Sequence, residues 1–98
     1  MSRLPGLSEF IILSAISKGK KVPVRDIRNY FQNITEKEIS RAAAYISLGR
    51  LAAKHWVIES VTSDKNIRGS RKIAVYDLTP AGEKMLEITA SALRKILI

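Results

Sequence analysis

The chain has 98 residues, enough for one small domain, and 46% of them are apolar, which excludes intrinsic disorder as the expected state. Lys and Arg number 17 against 9 Asp plus Glu, a formal charge of +8, so a polyanionic partner is expected: nucleic acid or an acidic membrane surface. Cysteine is absent and there is one His, which excludes a disulfide frame, argues against a zinc site and fits a reducing, cytoplasmic setting.

Near the N-terminus, Pro5 and Gly6 interrupt the apolar run that a secretory leader would need. Residues 8–17, "SEFIILSAIS", predict a first helix with Ser8 as N-cap. Phe10, Ile11, Ile12, Leu13, Ala15 and Ile16 cover most of its circumference, so it is expected to be largely buried. The run is far too short to cross a bilayer, and no membrane partner is expected. "KGKKVP" breaks the helix, with Gly19 as a C-terminal cap and Pro23 opening the next element. In "VRDIRNYFQNI", Val24, Ile27, Tyr30, Phe31 and Ile34 make the apolar stripe of a second helix, with Arg25, Arg28, Asn29 and Gln32 on its polar side.

A third helix follows, running to about Lys54. It starts either at Glu36, through a capping box of Thr35 and Glu38, or after Ser40 as N-cap. Two apolar stripes run along it. Ala44, Leu48 and Leu51 form the expected core face, and Ile39, Ala42, Ile46, Gly49 and Ala53 form a second, nearly opposite one. A surface helix normally shows one such stripe, so this helix is expected to have two neighbours. A second protein layer is one candidate; the major groove of DNA is the other, where Ile46 or Ala42 would meet a thymine methyl.

"WVIESVTS" and "RKIAVYDLT" are rich in β-branched and aromatic residues and partly alternate. Val57, Glu59 and Val61 share one side of the first, and Ile73, Val75 and Asp77 one side of the second. The polar link "DKNIRGS" makes them a hairpin. "TPAGEKMLEITASALRKILI" then predicts a fourth helix with Thr79 as N-cap and Pro80 at its first position. Its polar residues crowd into about a third of the circumference, leaving an apolar arc of roughly 200°, twice what one core face needs.

Helix, helix, helix, basic hairpin, helix is the order of an α+β, mainly α, winged helix-turn-helix. Residues 1–78 would form that unit, and residues 79–98 would add a C-terminal helix to the same domain. The exposed remainder of its arc points to a homodimer interface at Leu86, Leu93, Ile96 and Leu97.

Two stretches resemble the PadR family of winged-helix transcription regulators, and the resemblance covers roughly residues 7 to 92. In "EISRAAAYISLGRLAAKHWVIES" the matching residues are Ser40, Tyr45, Leu48, Arg50, Leu51 and Trp56. In "YDLTPAGEKML" they are Tyr76, Leu78, Thr79 and Gly82. Three places depart from the family pattern. Ala44 stands for a Leu, His55 stands for a Gly after the third helix, and "KKVPVRDI" lacks the usual His-Gly-Tyr. If the position of His55 needs a positive φ, His is strained there where Gly would not be. The resemblance implies a dimeric, repressor-like protein on operator DNA. In the family the second and third helices form the helix-turn-helix, the wing grips the backbone, and the last helix joins the dimer.

The residues expected to contact DNA follow. Ser40 and Arg41 lie at the start of the third helix, where groove contacts concentrate; Arg41 would hold a phosphate or pair with guanine. Tyr45 offers a hydroxyl to the backbone or packs on the domain. Arg50 would clamp a phosphate or pair with a carboxylate such as Glu59. Lys65, Arg68, Arg71 and Lys72 make the wing basic, opposed by Asp64, and Arg25 and Arg28 would add contacts from the second helix. Trp56 is expected in the core and His55 as an exposed cap residue. The function expected is a sequence-specific double-stranded DNA-binding regulator, a dimeric repressor on an inverted repeat. The alternative is a protein-interaction module docking a partner through the second stripe of the third helix. A lone His, no Gly-rich phosphate loop and scattered carboxylates leave no catalytic constellation, so neither an enzyme nor a cofactor is expected.

Overall fold

The computed structural model describes residues 4–64 and 71–97. In chain order they form α1 (Leu7–Ser17), β1 (Val22–Pro23), α2 (Val24–Thr35), α3 (Arg41–Ala53), β2 (Val57–Asp64), β3 (Arg71–Leu78) and α4 (Pro80–Leu97). The fold is the α+β winged helix expected. β2 and β3 are the wing, antiparallel from Val57↔Leu78 to Asp64↔Arg71.

α1 is the centre of the molecule and packs against α2, α3, α4 and β3. Its all-round apolar surface has this use: Ile11, Ile12, Leu13, Ala15 and Ile16 are all buried. The N-cap is Gly6, two residues ahead of the expected Ser8, and the helix begins at Leu7. The carboxylate of Glu9 accepts from the Gly6 N–H at 3.2 Å, satisfying the backbone group just ahead of the first turn.

β1 was not legible in the sequence. Val22 and Pro23 pair with Tyr76 and Val75, so the sheet order is β1-β3-β2. Asp77 supports the approach by accepting from the Lys21 N–H at 2.8 Å. Pro23 serves twice: its extended backbone (φ −77°, ψ 160°) ends the strand and caps α2. As the middle strand, β3 buries Val75 and Tyr76 on its two opposite faces.

The two possible starts of α3 are resolved in favour of Ser40, whose hydroxyl accepts from the Ala43 N–H at 3.1 Å. The Thr35–Glu38 box does not form, because the periodicity of α2 carries helix through Thr35. The Thr35 hydroxyl donates to the Phe31 carbonyl (2.9 Å) and accepts from the Lys37 N–H (3.1 Å). Glu36 then stops the helix in the left-handed region, φ 60°.

α3 ends in a Schellman turn. The Trp56 N–H donates to the Leu51 carbonyl (3.0 Å) and the His55 N–H to the Ala52 carbonyl (3.0 Å), which forces His55 to φ 61°. Leu51 and Trp56, at the two ends of the longer bond, are both buried. The start of α4 is fastened to this turn. The Thr79 hydroxyl donates to the His55 carbonyl (2.6 Å) and accepts from the Gly82 N–H (2.9 Å), while the Thr79 N–H donates to the Trp56 carbonyl (3.1 Å). Gly82 lies so close that a Cβ there would collide with the Trp56 carbonyl. Lys54 closes the outside of the turn, its ammonium 4.8 Å from the centre of the Trp56 ring and 3.4 Å from Glu9.

Two substitutions at this junction should act in opposite directions. Gly82→Ala should cost about 3 kcal/mol or more, because the obstacle is backbone and α4 must move away from it. His55→Gly should stabilise by about 1 kcal/mol, since glycine reaches positive φ without steric cost. Denaturant unfolding of the two variants beside the parent checks both signs.

Candidate nucleic-acid interface

Ala44, Leu48 and Leu51 lie within 1% of complete burial, so the first stripe of α3 is its core face as expected. The second stripe is not sandwiched between protein layers. Ala42, Ile46, Gly49 and Ala53 are all exposed, and Ile46 keeps 58% of its surface in solvent. Ile39 does not belong with them: it precedes the helix, packs on the core, and its carbonyl accepts from Arg28 Nε at 2.9 Å.

Beside this stripe lies a groove of about 270 Å³ bounded by the start of α2, the first half of α3 and the near end of β3. Arg25 and Arg28 enter it from α2, Arg41 and Tyr45 from α3, and Arg71 and Lys72 from β3. No carboxylate lines it. The helical spacing of Arg41 and Tyr45, i and i+4, puts both on the wing side of α3. The antiparallel register starts β3 at Arg71, so the two basic residues at its head stand opposite them. Like charges held this close, with water on one side, suit a chain of phosphates.

Four of the eight residues expected at a DNA contact are therefore brought together: Arg41, Tyr45, Arg71 and Lys72. Ser40 sits at the entrance of α3, but its hydroxyl is engaged as the cap. Arg50 is exposed and does not line the groove. Its suggested partner Glu59 accepts from the Tyr76 hydroxyl, at Oε2 and 2.7 Å. Burial first, and then that carboxylate, push the Tyr76 phenol above its ordinary range. Lys65 and Arg68 lie outside the described residues. Arg25 and Arg28 prove better placed than the periodicity of α2 implied, because β1 draws the start of α2 against β3. Arg28 also has a structural duty, since its bond to Ile39 ties α2 to the turn before α3.

At the other end of the molecule, α4 packs on α1 and β3. Leu86, expected at a dimer interface, packs against the chain's own core, and Leu93 is half-buried. Ile96 and Leu97 are 75% and 81% exposed, and Ile88 is 44% exposed. Among the described residues, no helix is long and apolar enough to cross a membrane, and no group of His and acidic side chains could hold a metal ion.

Solved structures share this architecture over nearly the whole chain. A PadR family transcription regulator from Clostridium difficile superposes with a TM-score of 0.78 at 24% identity, over 93% of this chain and 91% of that one. The chain has the PadR-type winged-helix fold. A candidate transcriptional regulator from Thermoplasma acidophilum matches with a TM-score of 0.78 at 24% identity, over 94% and 87% of the two chains. PadR of Bacillus subtilis, solved in complex with operator DNA, matches at 0.73 and 20% identity, over 87% of this chain but 48% of its own. No protein-family model and no curated protein matches the sequence. The residues that carried the PadR resemblance have visible duties in the PadR-type fold: Thr79 and Gly82 lock α4 to the turn after α3, and Tyr76 is the buried centre of β3.

The two kinds of arginine in the groove are separable. Arg28→Ala should destabilise the fold by about 1 kcal/mol through loss of its bond to Ile39. Arg41→Ala should change stability by less than about 0.5 kcal/mol, being exposed. Thermal or denaturant unfolding without any ligand distinguishes them.

Proposed function

We propose that the chain is a sequence-specific regulator of transcription that binds double-stranded DNA as a dimeric repressor on an inverted-repeat operator. The observation that carries this reading is the groove into which five basic side chains converge from three elements without one carboxylate. Around it the chain has a net charge of +8. A helix with an exposed outer face stands beside the groove, as a recognition helix stands beside its phosphate contacts. Arg25, Arg28, Arg41, Arg71 and Lys72 would hold phosphates, Tyr45 would add a hydroxyl, and Ser40 and Arg50 would lie at the margins. The wing residues Lys65 and Arg68 extend the same charge in sequence. The PadR-type neighbours are regulators and not enzymes, which agrees with a non-catalytic role.

The dimer is read from α4. Ile96 and Leu97 leave an exposed apolar surface at the end of α4 that Leu93 continues inward. Two-fold pairing through it would present two copies of α3 to sites about one DNA turn apart. A second reading, docking of a protein partner on α3, is favoured by the exposed Ile46 stripe. Salt separates the two, because phosphate binding weakens steeply with ionic strength and apolar docking does not.

Two measurements test the proposal. Arg71→Ala with Lys72→Ala should weaken binding to all duplexes alike and reduce the log–log salt slope by about one unit per lost phosphate contact; an unchanged slope removes the wing from the interface. Leu93→Glu with Ile96→Glu should give a folded monomer with much weaker operator binding. Sedimentation of the parent as a monomer at micromolar concentration would contradict the dimer, as would a double variant that stays dimeric.

A further inference from the structure

The outermost line of α3 is Ala42, Ile46, Gly49 and Ala53, spaced i, i+4, i+7 and i+11, and directly opposite the buried Ala44, Leu48 and Leu51. No side chain on that line can donate or accept a hydrogen bond. Hydrogen-bonding groups stand on the flanks instead, Arg41 and Tyr45 on the groove side and Arg50 on the other. Three of the four residues on the line end at Cα or Cβ, and the surface at Gly49 is open, with nothing within 4 Å of a would-be Cβ. Ile46 alone reaches further, with 58% of its surface exposed.

We infer that α3 reads bases by apolar contact, with Ile46 seated on a thymine methyl in the major groove; this rests on the DNA-binding reading above. The occupant is decided by charge. The line is bordered on both sides by cationic side chains, and on one side by the carboxylate-free groove, so an anionic partner is seated wherever the line makes contact. Of the groups that duplex DNA shows in its major groove, the thymine C5 methyl is the one an apolar side chain can recognise. A cytosine at the same place has C5–H where thymine has its methyl, and N4 where thymine has O4, so the apolar contact to Ile46 is lost and cytosine is selected against. The small residues at 42, 49 and 53 have a matching role. They let the helix backbone sit deep enough for the isoleucine to arrive, and a long side chain at any of them would hold it away. Arg41, Tyr45 and Arg50 then set depth and register through the backbone, and the methyl contact supplies base preference.

The test uses duplexes selected by the full-length protein from a random pool, resynthesised with deoxyuridine replacing thymidine one position at a time. This removes a methyl group and nothing else. The parent should lose about fourfold in affinity at one position per half-site, the worth of one buried methyl group. Ile46→Ala should bind the thymidine duplex more weakly, show the parental salt slope, and be indifferent to deoxyuridine at that position. Because Ile46 is exposed and alanine favours helix, that variant keeps its fold, which circular dichroism verifies. Equal binding of thymidine and deoxyuridine duplexes by the parent overturns the methyl contact and leaves DNA binding standing. A parent sensitivity that persists in Ile46→Ala overturns the assignment to Ile46. Failure to select any duplex, with no salt-dependent binding, overturns the DNA reading and this inference with it.

Discussion

Everything downstream of α3 depends on one left-handed residue. The Schellman turn reverses the chain at His55 so that Trp56 returns to the core beside Leu51, and β2 leaves the body from there. Thr79 and Gly82 seal the same turn from the far side, where α4 begins. α3, the wing and the last helix are thus held in fixed relation by a cluster of short backbone contacts. A histidine at that position tolerates a strain that glycine would not feel. The fold accepts the cost because buried Trp56 and the Thr79 bonds over-determine the turn.

Charge and apolar surface are divided with little overlap. The apolar residues of α1, and those on the inner faces of α2 and α3, close one core, while the cationic side chains of α2, α3 and β3 gather on one side of it. Arg28 belongs to both sets, since it fastens the α2–α3 turn and faces the groove. α3 carries an apolar surface outward in the middle of the charged side. On the DNA-binding reading this arrangement separates two tasks: long-range attraction falls to the flanking cations, and base preference falls to the line between them.

Much of this is legible in the sequence. Helical periodicity in α1 to α4, the caps at Ser40 and Thr79, and the β-branched runs of the wing are local signals, and each element lies within a few residues of its expected place. The strain at His55 was readable only through the resemblance, which has a Gly after the third helix where this chain has His. What escaped was non-local. Val22–Pro23 has no strand periodicity, being two residues long, and becomes a strand only because Tyr76 and Val75 lie alongside. The bonds from Arg28 to Ile39 and from Tyr76 to Glu59 have no sequence signature. Serine is a common cap and points to Ser8, whereas Gly6 takes the position because Glu9, three residues on, accepts from its N–H.

The central claim is that one face, built from the start of α2, α3 and the head of β3, is where a duplex sits. Amide and methyl chemical-shift mapping of the full chain tests it most directly, by titration with a mixed-sequence duplex at low salt. The account predicts that the largest changes fall on Arg25, Arg28, Arg41, Tyr45, Ile46, Arg71 and Lys72, and that they fade together as salt is raised. Changes centred on α4, or none at any salt concentration, would contradict it.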